Sequence, residues 1–378
     1  MSASFSAYLD LIRFTAALAV FVAHLASFPF TNHVLWSRLG QFGDAAVTVF
    51  FVLSGYVISF VLSGRENHPE AYLGGRASRL YSVVLVALPL TFMFDTIGMA
   101  VNPEFYNSQK VLWKPESWAG YLSSMLFVNE YQIFGFNGIS PGTNGPFWSL
   151  SFEATYYVLA GIALFCRRTV WIPVTLIILA LSGRTIAALL PIWLLGFVLY
   201  RVRIPEFKST FYLQAAFWSS AALIVFSPII EDYLPHTYGL MRLPWGRGPF
   251  NRDLMNDYFI ALAFVAHLVF AKAALANGFK PIDQMKPVIR WLGSLTFPLY
   301  LFQFPALCLF AAISPWDDAS MRRVVFISVL TFFVVVVLTP VCENLKGVIR
   351  RKMILRDFIH PKVLGFFARH VSSYPRRV

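Results

Sequence analysis

The chain has 378 residues, 57% of them hydrophobic and 13% charged, and a mean hydropathy of +0.62. Soluble domains carry about 25% charged residues, so roughly half the usual water-facing surface is missing and a soluble globular protein is excluded. The formal charge of +12 does not point to nucleic acid, because Lys and Arg cluster between apolar runs and in the C-terminal tail, the distribution that orients membrane helices.

Apolar runs near the ~20 residues needed to cross a bilayer recur along the whole length. They predict an all-α polytopic membrane protein, a bundle of about ten transmembrane helices. The spans lie near 8–28, 44–63, 80–101, 146–166, 169–183, 185–200, 211–230, 258–276, 291–313 and 324–341. The fifth and sixth are short and meet at Gly183-Arg184. The N-terminal run has neither a basic leader nor a small-residue cleavage pattern, so it is expected to remain a span. With both termini in the cytoplasm, 21 of the 31 Lys and Arg fall on the inner side, nine on the outer side and Arg13 within a span. That bias predicts a multi-pass protein of the cytoplasmic (inner) membrane.

Two outer loops are long, 102–145 and 231–257. Their Gly/Pro-rich stretches are Gly138–Pro146 and Pro244–Pro249, and both a lid or binding loop and a plain connector fit them. The transmembrane domain is expected over 1–345. The tail, 346–378, alternates basic and apolar residues (Lys346, Arg350, Arg351, Ile354, Leu355, Phe358, Ile359), as an amphipathic helix on anionic lipid would. Cys166, Cys308 and Cys342 are far apart, which argues against a disulfide framework or a metal site.

Charged groups at bilayer depth cost at least ~2.5–3.5 kcal/mol each, so each one needs a reason. Arg13 and His24 in the first span are eleven residues apart, close to a whole number of helical turns. They therefore share a face, about 16 Å apart along the axis. Asp10, three residues before Arg13, is placed to pair with it. Snorkelling explains an isolated arginine and an interhelical hydrogen bond an isolated histidine, but a shared face favours a common polar channel. A neutral imidazole there is able to accept a proton or attack an acyl carbon. Glu153, in the fourth span, is expected near the depth of His24, where a carboxylate orients an imidazole and stabilises its cation. Trp148, Ser149 and Ser151 beside it are candidate hydrogen-bond donors, and a purely structural Glu is the plainer alternative. Arg76 and Arg79 share a helix face at i, i+3 and suit bidentate binding of phosphates, although positive-inside placement alone also accounts for them. Ser54-Gly55 reads as a helix-packing contact and His267 as a structural residue.

Several ordered blocks together resemble the acyltransferase-3 family of membrane-bound acyltransferases. They are Leu9-Asp-Leu-Ile-Arg13 through His24, Val49–Tyr56, Arg76-Ala-Ser-Arg79-Leu-Tyr81, Phe147–Glu153 and Leu292–Leu301. The resemblance implies a ten-span bundle that takes an acyl group, often acetyl, from cytoplasmic acyl-CoA. The acceptor would be a hydroxyl of a carbohydrate or glycolipid, commonly on the outer side. It further implies His24 as the catalytic residue, Arg13, Arg76 and Arg79 as donor-binding residues and Glu153 as an important carboxylate, with no metal and no nucleic acid involved. The chain departs from the family pattern at Ala154 and Thr155 after Glu153, at Gln303 where a histidine is common, and at Ser82 where a proline is common. A transporter or flippase for a lipid-linked or polysaccharide precursor is the rival reading, and it leaves the ordered blocks unexplained.

Overall fold

The computed structural model describes residues 1–27, 30–32, 34–64, 66–108, 118–134, 138–204, 207, 209–235, 253–279 and 283–354. Among them every expected apolar segment is helical. The first three helices are α1 (Ala3–Leu25), α2 (Gln41–Leu62) and α3 (Pro69–Val101). The loop that follows carries two short helices, α4 (Pro103–Ser108) and α5 (Trp118–Met125). Next come α6 (Trp148–Phe165), α7 (Arg168–Ser182), α8 (Arg184–Arg201), α9 (Thr210–Val225) and the short α10 (Ser227–Ile230). The last three are α11 (Leu254–Ala276), α12 (Lys286–Ala312) and α13 (Met321–Ile354).

Seven of these helices (α1, α2, α3, α8, α11, α12 and α13) are long and apolar enough to cross a membrane. An eighth span arises if α9 and the helical turn after it, bent by 59°, count as one. Of the ten expected spans, α7 is short at 15 residues, about 22 Å at 1.5 Å per residue. The 18 residues of α6 are diluted by Glu153, two serines, a threonine and two tyrosines. Helix α13 runs without a break through the expected boundary at 345 to Ile354. The remainder of the tail, with Leu355, Phe358 and Ile359, lies outside the described residues, as does the Pro244–Pro249 stretch.

The bundle is built around α12. Every residue from Pro298 to Ala312 is buried, the signature of a helix that is apolar all round because neighbours cover every face. Helices α1, α3 and α13 pack against it. The outer helices expose apolar side chains: Val325, Val329, Phe333 and Val337 form a stripe along α13, and Phe92, Met93, Ile97 and Val101 lie along α3. Exposed apolar stripes of this length fit a lipid solvent and not water. Two helices approach unusually closely. A Cβ on Gly55 of α2 would meet the Trp193 carbonyl oxygen of α8, and one on Gly196 of α8 would meet the Val52 carbonyl oxygen of α2. This reciprocal small-residue contact bears out the packing reading of Gly55.

The Gly/Pro-rich stretch before α6 is no surface connector. Thr143 donates its backbone N–H (2.9 Å) and hydroxyl (2.7 Å) to the buried carboxylate of Asp95 on α3. Asn144, fully buried, donates to Thr91 Oγ1 of α3 (3.0 Å) and to the Leu301 carbonyl of α12 (2.8 Å). Leu301 lies eleven residues before the end of α12, about 17 Å along its axis. The chain thus enters the bundle before α6 begins. Irregular backbone is tolerated at that depth because protein side chains and carbonyls satisfy it.

Candidate functional site

Helices α1 and α12 run parallel and carry the site between them. Near one end Asp10 lies against Gly293, where an added Cβ would stand 3.0 Å from the Asp10 Cβ. Further along, the His24 ring meets Phe304 edge-on, with centroids 5.0 Å apart.

Two cavities follow this axis. A polar vestibule of about 300 Å³ is lined by Asp10, Arg13, Arg79, Arg290, Glu343 and Lys346, among others. A narrower cavity of about 70 Å³ lies beyond it, lined by Arg13, Arg79, Ser54, Ser149, Glu153 and Tyr300. Arg13, Arg79, Thr296 and Phe297 line both, so the two arginines stand at the join. Arg13 pairs with Asp10 at 3.4 Å, as the i, i+3 spacing predicts. It also lies in the field of Arg79, Tyr157 and Glu153, so two like charges are compensated by one carboxylate at each end.

Glu153 stands apart from His24 and joins this arginine pair. Its Oε1 accepts hydrogen bonds from Tyr157, one turn on in α6, and from Ser54 of α2 at 3.3 Å. Ser54 in turn accepts from Trp193 Nε1 at 3.2 Å. The depth expected for Glu153 assumed that α6 starts at the membrane surface. The preceding loop instead enters the bundle before α6 starts, and Glu153 lines the inner cavity with Arg13 and Arg79.

His24 occupies the last turn of α1. Its polar neighbour is Gln303, the position where a histidine is common in the family pattern. His24 Nδ1 and Gln303 Oε1 are both buried, and neither makes a well-formed hydrogen bond with a described residue, although the two side chains are close enough to interact. Phe30 in turn meets Phe304 edge-on at 5.7 Å. The Phe30 carbonyl is held by the buried guanidinium of Arg323 at 3.0 Å.

The two arginines that share a face in sequence go to different places. Arg79 reaches the cavities. Arg76 is buried with Glu66, donating from Nη2 to both carboxylate oxygens at 2.8 Å. Its guanidinium lies 5.9 Å and 5.5 Å from the ring centres of Tyr72 and Tyr157. Of the flanking residues, Ser149 lines the inner cavity and shares a 2.8 Å hydrogen bond with Tyr300. Ser151 turns away to Asn129 (2.6 Å), and Trp148 joins the aromatic cluster of Phe51 and Phe152. His267 is satisfied on both nitrogens by Tyr8 (2.5 Å) and Ser220 (3.0 Å), a structural arrangement. Sequence reading missed Tyr157, Tyr300, Glu66 and Arg290. Only Tyr157 carried a signal, its i, i+4 spacing from Glu153.

The family model described as an acyltransferase domain matches residues 6–340. The chain belongs to the acyltransferase-3 family. Two curated proteins are similar over shorter stretches. Acyltransferase MdmB of Streptomyces mycarofaciens is 28% identical over 151 residues, covering 39% of this chain and 36% of that protein. The O-acetyl transferase of Shigella phage Sf6 is 24% identical over 197 residues, covering 49% of this chain and 56% of that protein. The similarity thus spans from about a third to just over half of these relatives' lengths. No solved structure matches the chain.

Proposed function

We propose that this protein is an integral-membrane O-acyltransferase. It moves an acyl group, acetyl in the first instance, from cytoplasmic acyl-CoA to a hydroxyl of a saccharide or glycolipid across the inner membrane. The observation that carries this reading is the lined path along α1 and α12. A charged vestibule leads to a narrow cavity gated by Arg13 and Arg79, and His24 lies further along the same helices. Family membership supplies the reaction class, and the similarity to a protein named an O-acetyl transferase supports an oxygen acceptor.

In this reading Arg13 and Arg79 engage the donor, and Glu153 balances their charge within the cavity. The pantetheine arm carries the thioester past them towards His24. The imidazole takes the proton of the acceptor hydroxyl as that oxygen attacks the thioester carbonyl. The C–S bond breaks, and the departing thiolate recovers the proton from the imidazolium. A covalent route also fits the same group: the imidazole attacks the carbonyl and expels the coenzyme thiolate, and the acceptor hydroxyl then takes the acyl group from the imidazole while its proton passes to that thiolate. The lack of a well-formed hydrogen bond from His24 Nδ1 to any described residue supports a nitrogen available for chemistry.

The test is acyl transfer by the purified protein in lipid nanodiscs, with isotope-labelled acetyl-CoA. His24→Ala should abolish transfer, and transfer that survives the change overturns both routes. Mass spectrometry of protein incubated without acceptor separates them, since label on His24 marks the covalent route. Comparing envelope glycans of a deletion strain with those of the parent identifies the acceptor as the species that loses one acyl substituent.

A further inference from the structure

We infer that a further cavity, towards the opposite end of α12 from the vestibule, is a saccharide-binding site built by Phe92, Trp118 and Tyr121 around the carboxylate of Asp95. The ligand assigned is a sugar unit of the acceptor, which rests on the acyltransferase reading above. The cavity has a volume of about 490 Å³ and lies between α3 and α5, with Gly142 of the following loop in its wall. Asp95 stands six residues before the end of α3, the end that the charge distribution predicts on the outer side. The vestibule adjoins α12 around Gly293. Beside this cavity, by contrast, Phe94 packs on Phe310 of α12 with ring centres 6.0 Å apart, and Asn144 holds the Leu301 carbonyl. Phe304, which meets His24, falls between those two contacts. His24 therefore touches the same stretch of α12 that this cavity adjoins.

Asp95 is an acid within a membrane-crossing helix, and acyl transfer at His24 gives it no task. Such a group needs a reason. Both of its hydrogen bonds come from Thr143, whereas a carboxylate has about four acceptor positions. Gly142 lets the loop pass close over it: a Cβ there would collide with Asp95 Oδ2, and its φ of +55° suits glycine. The Trp118 ring is 75% exposed and stacks on Phe92 with centres 6.1 Å apart, and Tyr121 meets Phe92 edge-on at 6.2 Å. A pyranose ring presents a C–H face that packs on aromatic rings and a rim of hydroxyls that donate to a carboxylate. The volume falls within the range of ligand pockets, about 300–1,000 Å³. The charged residue of the described lining is an acid, which repels a phosphate. A hydrocarbon chain would leave that acid without a polar partner on the cavity side.

The experiment uses the full chain in nanodiscs of phosphatidylcholine. The probe is the oligosaccharide and glycolipid fraction extracted from the envelope of a deletion strain. One readout is the saccharide retained by the protein, measured by mass spectrometry, and the other is the apparent KM for that fraction in acyl transfer. Trp118→Ala and Phe92→Leu alter exposed side chains, so the fold should survive. Each should lower retention about fivefold below saturation and raise the acceptor KM by a similar factor, with the donor KM and kcat within about twofold of wild type. Asp95→Asn should lower retention more, about tenfold, as for hydrogen bonds to a charged group. Tyr233→Ala, an exposed aromatic after α10, should alter neither readout. Retention of no saccharide by the wild-type protein, or equal retention by wild type and both aromatic variants, overturns the site. Binding of tetramethylammonium in place of saccharide, dependent on the same residues, overturns the saccharide assignment in favour of a cation. Residue-dependent retention by a protein that transfers no acyl group leaves the site standing and removes the acyltransferase reading. Acyl transfer with a normal acceptor KM in both aromatic variants does the reverse.

Discussion

Tyr157 donates its hydroxyl to Glu153 one turn away on α6, while its ring lies 5.5 Å from the Arg76 guanidinium. A buried cation thereby fixes the ring that fixes the carboxylate of the inner cavity. Arg76 thus adjoins the inner cavity through the Tyr157 ring. Tyr157→Phe should keep the packing, remove the donor and lower kcat about tenfold, the effect of losing a hydrogen bond to a charged group. The donor KM should stay within about twofold. Steady-state kinetics with acetyl-CoA as the varied substrate makes the check, and a rise confined to KM would contradict the positioning role.

The Glu66–Arg76 pair is almost wholly removed from solvent, at 10% and 11% side-chain exposure. Glu66→Ala leaves an uncompensated guanidinium and should destabilise the protein by about 3–5 kcal/mol. Replacing both partners together, Glu66→Gln with Arg76→Met, should recover most of that loss. Thermal unfolding in detergent compares the three proteins. Equal destabilisation by the single and double changes would show that the charge pair is not the origin of the effect.

Helices α2 and α8 cross at Gly55 and Gly196 with no room for a methyl group. A Cβ at Gly55 would also lie 2.9 Å from the Phe197 nitrogen, and the obstacle is backbone, which does not yield as a side chain does. Gly196→Ala should cost about 1–3 kcal/mol through overpacking, and Gly55→Leu should cost more. Because Ser54 next to Gly55 touches Glu153, activity should fall with stability. Gly196→Ala protein with an unchanged melting temperature would mean that the helices separate freely.

The descending loop sets the depth of α6 through Asn144. Asn144→Ala removes hydrogen bonds to Thr91 and Leu301 at once and exposes two buried acceptors, at about 1–3 kcal/mol each. Accelerated proteolysis within 138–147 and loss of transfer are expected together. Asn144→Ala protein with normal protease resistance would place the restraint on the Asp95–Thr143 contact instead.

The helical membrane architecture was legible in the sequence because hydropathy and the 3.6-residue period are local properties. The same period put Arg13 and His24 on one face of α1, paired Asp10 with Arg13 and brought the motif blocks of the family into view. Which polar groups meet across helices was settled by the tertiary structure. Glu153 joined Arg13 and Arg79 and not His24, because a loop with no hydropathy signal descends before α6 starts and shifts every depth counted from the surface. Arg76 and Arg79, near neighbours on one face, parted because positions three residues apart on a helix still differ by about 60° in direction. That angle let Glu66 and two tyrosines enclose one while a cavity received the other. Gln303, read as a departure from a pattern, proved to be the side chain beside His24. Periodicity specifies the face of a helix; the register between helices depends on loops and close contacts distant in sequence, and only the folded chain brings those together.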